Sequence, residues 1–402
     1  MATSFESMIL YRAERIPMVR IAFIGVGQRG MKTLARYNVI RGAEIRVLAD
    51  ISAEHLDEAA SLMERSGRPR PELLCGQERW RDAISRSDID LVYICTPWET
   101  HAEMACAAME AGKHVAVEVP AATTLEECWR LVDTAERTRR HCFMTENCCY
   151  DSFALATLEM HREGLFGELT HVEGAYIHNL FEHEGEATNH GNGWMLRSIA
   201  RHGANAYPTH GMGAIGWLLN LHRGDLMESL TSMTSRGLGD DGLLGRVNST
   251  LIRTKRGVTI LQQLDATTPR PYSRLQTICG TAGYAQKYPL PTIFAKGLDH
   301  ILTGEEALSK ASEYMERNAA IHYWKEGHDI GVPNEMNYAM DCRLIHCLHY
   351  GLPLDIDVYD AAEWSCIAPL SAISAQGGGR PVDIPDFTRG KWRNAEPHQF
   401  FQ

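Results

Sequence analysis

The stretch Val19-Arg-Ile-Ala-Phe-Ile-Gly-Val-Gly-Gln-Arg-Gly30 decides the fold. Its opening residues have strand character. Gly25, Gly27 and Gly30 then follow in the pattern Gly-x-Gly-x-x-Gly, ahead of a helix read over Met31 to Asn38. Glycine meets three needs at such a turn. The chain bends tightly, the backbone approaches a pyrophosphate, and the helix packs close to the strand. The helix N-terminus adds open amides and the positive end of a dipole. An acidic residue should stand roughly 20 residues further on, to hold an adenosine ribose. Asp50 ends the next strand, Glu44 to Asp50, 20 positions after Gly30. Its carboxylate favours NAD over NADP, because a 2′-phosphate would meet a like charge.

Strand and helix alternate outward from this turn. A helix is read over Ala53 to Ser66, another near Trp80 to Ser85, then a buried strand Leu91 to Cys95. Thr96 to His101 forms a turn before a helix Ala102 to Ala111, ended by Gly112. His114 to Val119 is a strand, Leu125 to Arg139 an amphipathic helix, and Cys142 to Thr145 a short strand. The alternation predicts a doubly wound parallel sheet, a Rossmann fold of the α/β class. Ligands bind beyond the carboxyl ends of such strands. That rule selects Gly25 to Gly30, Asp50, Thr96 to His101, Glu118 to Pro120, and Glu146 with Asn147. After Tyr150 the pattern changes. A helix (Ala154 to Glu163) precedes strand-like runs at Glu168 to His178, Leu226 to Arg236, Ser249 to Thr254, Val258 to Asp265 and Tyr272 to Gly280. These predict a second α+β domain on an open, mainly antiparallel sheet. The expected division is an extension over 1–17, a Rossmann domain over 18–149 and a substrate domain over 150–402. A late helix near 360–375 is a candidate to pack back on the first domain.

Composition narrows the function. A net charge of −11 argues against nucleic acid or an anionic membrane as partner. No apolar run reaches the length of a membrane span. The 18 histidines and 11 cysteines show no structural zinc spacing, so no metal is expected. Scattered cysteines in apolar runs suit reduced, buried thiols. Met1 to Pro17 carries Arg12, Glu14 and Arg15 without an apolar core of secretory length, so the expectation is a cytoplasmic protein.

Polar and aromatic residues concentrate in the second half. Tyr176 and His178 are two apart on one strand and share a face. Tyr207-Pro208-Thr209-His210 is a rigid turn leading to a helix read over Met212 to Leu219. Near that helix start, His210 is expected to have a lowered pKa and act as a neutral base. Arg197 lies just before, and Gln286-Lys-Tyr288-Pro ends the sheet. Aromatic and polar groups with few full charges suit a neutral carbohydrate.

The two-domain plan, Gly25 to Gly30, Cys95-Thr-Pro97 with His101, and the strand before Glu118 resemble the Gfo/Idh/MocA oxidoreductase superfamily. Its members usually carry Glu-Lys-Pro, whose lysine assists proton transfer. Here the triplet is Glu118-Val119-Pro120, and valine cannot move a proton. An aspartate often stands four residues before a histidine in the second domain, where this chain has Ala206 before His210. The strings Glu118-Val-Pro-Ala-Ala122, Glu146-Asn-Cys-Cys-Tyr150, Tyr207-Pro-Thr-His-Gly211, Gly213 with Leu218-Leu-Asn220, and Gln286-Lys-Tyr-Pro289 resemble glycoside hydrolase family 109, the NAD-dependent α-N-acetylgalactosaminidases. The resemblance implies NAD as cofactor. It implies contacts to it from Gln28, Arg29, Asp50, Trp98, Glu99, Thr100, His101, Glu118, Val119 and Asn147. It implies substrate contacts from Tyr176, Arg197, Tyr207, Pro208, Thr209, His210 and Tyr288.

The implied chemistry is redox-neutral hydrolysis through a C3 ketone, loss of the C2 proton, elimination and water addition. Tyr176 is the expected base. Its ordinary pKa is near 10, so His178 or a cationic nicotinamide must stabilise the phenolate. Tyr207, His210 and Glu146 are candidates for the other proton transfers. The alternatives are an NAD-dependent sugar or cyclitol dehydrogenase and a non-catalytic NAD-binding sensor. A homo-oligomer, dimer or tetramer, is expected, because an open sheet exposes a face.

Overall fold

Six parallel strands form the first sheet. They are β1 (Val19–Ile24), β2 (Ala43–Asp50), β3 (Glu72–Cys75), β4 (Leu91–Ile94), β5 (His114–Val117) and β6 (Cys142–Met144). Their order is β3-β2-β1-β4-β5-β6. The chain therefore reverses its winding direction between β1 and β4. That is the switch point at which doubly wound sheets bind ligands, and the Gly25 to Gly30 turn leaves β1 there. β4 and β5 are buried along their whole length, as the apolar run of a sheet covered on both faces requires. β3 is short and exposed at two of its four positions, which is why no strand pattern marks it in the sequence.

The computed structural model describes residues 6–180, 193–239 and 242–397. The chain divides into two compact units. The first holds Met1–Ala122, Glu126–Thr145 and Tyr323–Ala362, and the second holds Thr123–Leu125, Glu146–His322 and Glu363–Gln402. The late segment that joins the first unit thus centres on a helix, Glu335–Tyr350, absent from the sequence reading. Its charged residues hide an inward face. Asp341 is fully buried, pairs with Arg36 at 2.7 Å and accepts the Tyr93 hydroxyl at 3.2 Å. The late helix expected near 360–375 is two helices, Val358–Ser365 and Ile367–Gln376. The second of them belongs to the other unit, where the Ser232 amide donates to Ser374 Oγ at 2.8 Å. The described part of the N-terminal extension is tied into the first unit. The Met8 amide donates to the Tyr359 hydroxyl at 3.1 Å, and the Ile16 amide to the Leu348 carbonyl at 3.1 Å.

Nine strands form the second sheet. They are β7 (Leu169–Ile177), β8 (Met227–Thr234), β9 (Val247–Thr254), β10 (Thr259–Asp265), β11 (Ser273–Gly280), β12 (Tyr284–Gln286), β13 (Thr292–Phe294), β14 (Leu302–Thr303) and β15 (Val382–Asp383). Their order is β14-β13-β12-β11-β7-β10-β9-β8-β15. Among the named strands, all pairs are antiparallel except β7 with β10. The architecture is the one expected, with the small strands β12 to β15 added. The helix Thr209–Leu218 crosses β7 at very short range. A Cβ at Gly174 would sit 2.1 Å from the Gly211 carbonyl oxygen, and one at Gly211 would sit 2.7 Å from the Ala175 amide nitrogen. Glycine at both positions lets helix and strand touch backbone to backbone. Among the described residues, no helix is long and apolar enough to cross a membrane.

The first unit contains a buried histidine pair. The His141 amide donates to His114 Nδ1 at 3.1 Å, and the two rings lie 5.1 Å apart. Burial, reinforced by the Arg140 charge, pushes His114 from 6.5 down to about 4. Burial also holds His141 well below its ordinary range. Below the unfolded value of 6.5 the unfolded chain binds protons that the folded chain refuses, so stability falls as pH falls through about 4. The denaturant midpoint should therefore drop over that interval, and His114→Gln should flatten part of the slope. A slope unchanged in the variant would show that the pair does not control acid stability.

Candidate active site

The first unit offers a nucleotide-binding turn. Gly25 has φ +85°, and a Cβ there would meet the Cys95 carbonyl oxygen at 2.8 Å. A Cβ on Gly30 would lie 2.3 Å from the Gly25 carbonyl oxygen. At Gly27, by contrast, the nearest atom to a Cβ is the His55 ring at 3.9 Å, so the backbone is open on that side. The helix starts at Gln28, three residues before the expected Met31, with Gly27 as a cap that supplies no side-chain acceptor. Gln28 and Arg29 therefore stand in a first helical turn, where amides lack intrahelical partners and attract anions. Asp50 does more than the sequence indicates. Its Oδ2 accepts the Val26 amide at 2.7 Å and its Oδ1 the Ser52 amide at 2.8 Å. It pins the glycine turn while keeping lone pairs for ribose hydroxyls. The set of open backbone, helix N-terminus and anchored acid fits a dinucleotide.

The other expected cofactor residues divide into surface and support. Arg29 pairs with Glu118 at 2.7 Å. Trp98, Glu99, Thr100 and His101 form the first turn of a helix, Trp98–Glu110, which begins four residues before the expected Ala102. The His101 ring is fully buried, 2.8 Å from the Pro120 carbonyl and 2.7 Å from the Thr96 carbonyl. It clamps two loops together rather than presenting its ring outward. Val119 is buried too. Asn147 lies in the second unit, on the short 3₁₀ turn Asn147–Tyr150 that Glu146 caps.

The second unit gathers the expected catalytic residues. Glu146 is fully buried, and its carboxylate accepts the Cys148 amide at 2.9 Å. His210 Nδ1 lies 2.7 Å and 3.0 Å from its two oxygens. His210 Nε2 lies 3.0 Å from the Tyr207 hydroxyl. Next to this chain, the Tyr176 hydroxyl is 2.8 Å from His178 Nδ1. The Tyr176 ring meets Tyr207 edge-on at 4.9 Å and His210 at 5.4 Å. Five sequence-selected residues thus share one cluster.

The charge of His210 corrects the sequence reading. A lowered pKa and a neutral imidazole were expected from its place near a helix start. Burial does favour the neutral form, but Cys148 and Glu146 beside it outweigh burial and raise the pKa to about 10. Glu146 responds in kind. Burial would raise its pKa, yet the His210 charge and hydrogen bonds hold it below the carboxylate range. The geometry agrees with that direction: Nδ1 faces the Glu146 carboxylate and Nε2 the Tyr207 oxygen, so a protonated ring has an acceptor at each end. The Tyr207 hydrogen is then directed elsewhere.

Tyr288 joins the cluster through Tyr272, which the sequence reading passed over as the start of a strand. Tyr272 lies 5.2 Å from the His178 ring and 6.0 Å from the Tyr288 ring. Behind Tyr288 stands a charged group also missed. Buried Asp151 pairs with Arg274 at 2.7 Å and with Lys287, and Arg274 reaches the Tyr288 hydroxyl at 3.3 Å. Burial opposes ionisation of Asp151, but the two cations hold it well below the carboxylate range. The residues lie far apart in sequence, so no spacing signals them. Pro208 and Thr209 are buried. Arg197 sits on the exposed side of the helix Trp194–His202, and among the described residues its side chain forms no ion pair or hydrogen bond with the cluster.

Gly213 sets the spacing between helix and turn. A Cβ there would lie 2.6 Å from Glu146 Cγ and 2.7 Å from Cys149 Sγ. Gly213→Ala should displace Glu146 and, through it, His210. We expect a loss of activity of at least about tenfold with bound dinucleotide unchanged, since small misplacements of reacting groups cost that much. Full activity would show that the Glu146 position is not critical.

Comparison with known proteins follows the same division. The family "Oxidoreductase family, NAD-binding Rossmann fold" matches residues 19–146. "Glycosyl hydrolase 109, C-terminal domain" matches residues 150–243 and 241–394. An α-N-acetylgalactosaminidase of Bacteroides fragilis is 50% identical, with 94% of each chain covered. Glycosyl hydrolase family 109 protein 2 of Phocaeicola vulgatus is 48% identical, over 94% of this chain and 96% of its own. Among solved structures, an NAD binding oxidoreductase from Klebsiella pneumoniae aligns with TM-score 0.69 at 17% identity, covering 92% of this chain and 100% of its own. Levoglucosan dehydrogenase in complex with NADH and levoglucosan aligns with TM-score 0.66 at 19% identity, with the same coverage. These two likenesses speak to the fold alone.

Proposed function

Because the chain belongs to glycosyl hydrolase family 109, we propose that it is a glycosidase that releases terminal N-acetylgalactosamine with NAD as a recycled cofactor. The observation that carries this reading is the chain of contacts Glu146–His210–Tyr207 beside Tyr176–His178. It supplies proton-transfer groups without the two opposed carboxylates of an ordinary glycosidase. The valine at position 119 in turn lacks the amine a dehydrogenase of this fold uses.

The dinucleotide, when bound at Gly25 to Gly30 and Asp50, would supply reversible hydride acceptance for C3 of the sugar, with no net oxidation over the cycle. The protein's own residues handle the protons. Tyr176 takes the proton at C2, which the neighbouring ketone has made acidic. Its phenolate is stabilised by the hydrogen bond from His178. Tyr207 receives a hydrogen bond from the His210 imidazolium, which makes its own hydroxyl a better acid. It gives that proton to the oxygen of the departing aglycone and recovers one from the water that adds at C1. Glu146 keeps His210 charged and oriented. Tyr272 and Tyr288 offer aromatic faces to the sugar, and Arg197 a cation at the rim. Gly25 to Gly30, Arg29, Asp50, Glu99 and Thr100 would hold the dinucleotide, and His101 braces the loops behind them.

The outward face of the second sheet supports a homo-oligomer. Met233 on β8 and Leu251 on β9 are 66% and 46% exposed on the same face. A second copy of the chain is the expected cover.

The holoprotein should release nitrophenol from p-nitrophenyl α-N-acetylgalactosaminide without accumulating reduced nicotinamide. Tyr176→Phe should slow that release about 10²–10⁴-fold while dinucleotide content stays constant. Reduced nicotinamide building up with a free sugar or cyclitol, and no nitrophenol, would make the protein a dehydrogenase instead.

A further inference from the structure

Cys148 moves no proton in the chemistry above, although it stands beside Glu146 and His210 within that cluster. Glu146 and Cys148 are two residues apart on one tight turn. The turn is fixed by the Cys148 amide donating to Glu146 at 2.9 Å. His210 faces both from the first turn of the helix Thr209–Leu218. One donor atom from each residue, a carboxylate oxygen, the thiol sulfur and an imidazole nitrogen, lies within 4.8 Å of the other two. Cys148 and Glu146 are buried, while the His210 side chain keeps 14% of its surface exposed and gives the trio its access to solvent.

We propose that Glu146, Cys148 and His210 form a binding site for a thiophilic divalent cation, Zn²⁺ or Co²⁺ by chemical class, that shuts the enzyme off. An S, N, O donor set is the type that such borderline-soft ions prefer over calcium or magnesium. Tetrahedral coordination places neighbouring donors about 3.3–3.8 Å apart. To meet this the 2.7 Å contact between His210 and Glu146 must widen, and the thiol, now 3.5 Å from Asn147 Oδ1, must turn from that oxygen toward donors that already lie within 4.8 Å. Both elements that carry the ligands are rigid, because Gly213 holds the helix against the turn with no room for a Cβ. A fourth position is left for water. On binding, three metal–ligand bonds form. The thiol proton and the Nδ1 proton of His210 leave to solvent, and no electron is transferred. The cation replaces the Nδ1 proton and breaks the contact of His210 with Glu146; Nε2–H still faces Tyr207, but the relay Glu146–His210–Tyr207 is cut at its carboxylate end. The inhibition rests on the proposed role of that relay, but the binding site does not.

Cobalt titration of the holoprotein separates the two. We expect one equivalent of Co²⁺ to bind, with a thiolate-to-metal charge-transfer band and the strong visible bands of a four-coordinate ion. Zinc should displace it. Cys148→Ser should abolish the charge-transfer band and weaken metal binding by more than about tenfold. Cys149→Ser, which changes the adjacent thiol, should keep the band. Retained dinucleotide in each variant confirms folding. Zinc should suppress nitrophenol release in the parent protein and do so far less in Cys148→Ser. Absence of a charge-transfer band, or a band that survives in Cys148→Ser, would overturn the proposal whatever reaction the protein catalyses. A cobalt site without loss of activity would overturn the inhibitory role.

Discussion

A carboxylate buried without exposure organises the second unit. Removing Glu146 from water costs several kcal/mol unless charge and hydrogen bonds compensate. The compensation comes from two directions, the Cys148 amide on its own turn and the His210 imidazolium on the helix Thr209–Leu218. To deliver that imidazolium, the helix must lie against both the turn and β7. Glycines 174, 211 and 213 make the approach possible. The same approach brings Tyr207, three residues before His210, onto the ring of Tyr176. One electrostatic requirement thus fixes the spacing of the cluster.

The arrangement also suggests how a fold shared with dehydrogenases can host a hydrolase. A lysine in the first unit would supply a proton acceptor next to the cofactor, and here that position is a buried valine. Groups with the chemistry to move protons stand instead in the second unit, as a tyrosine backed by a histidine and a carboxylate. An imidazolium behind a phenol tunes that phenol as an acid, whereas a lone lysine suits simple deprotonation of a hydroxyl.

Much of this was legible in the sequence. The glycine turn, Asp50 and the alternation of strand and helix identify the first sheet, because each has a local physical cause. The site residues after Tyr150 are visible as a concentration of aromatic and polar groups with few full charges. Three helix starts were placed too late, at Gln28, Trp98 and Thr209. First turns contribute no apolar periodicity, so each reads as loop although it holds the residues of interest. The charge of His210 is hidden from the sequence because the helix end is local and visible, while Glu146 lies 64 positions away. Tyr272 and the group Asp151, Arg274 and Lys287 escaped for the same reason. Their meaning comes from contacts across strands, and β11 and the turn after β12 deliver them only once the sheet forms. The helix Glu335–Tyr350 was hidden by Asp341 and Arg343, whose charges are paired inside rather than solvated.

The central claim is that Tyr176 removes a proton from C2 of a transiently oxidised sugar. Hydrolysis of p-nitrophenyl α-N-acetylgalactosaminide in deuterated water tests it most directly, with the released sugar examined by NMR. The account predicts deuterium at C2 of the product, and neither product nor exchange at C2 with Tyr176→Phe. Released sugar that retains its original hydrogen at C2 would contradict the account, since direct displacement at C1 never opens that bond.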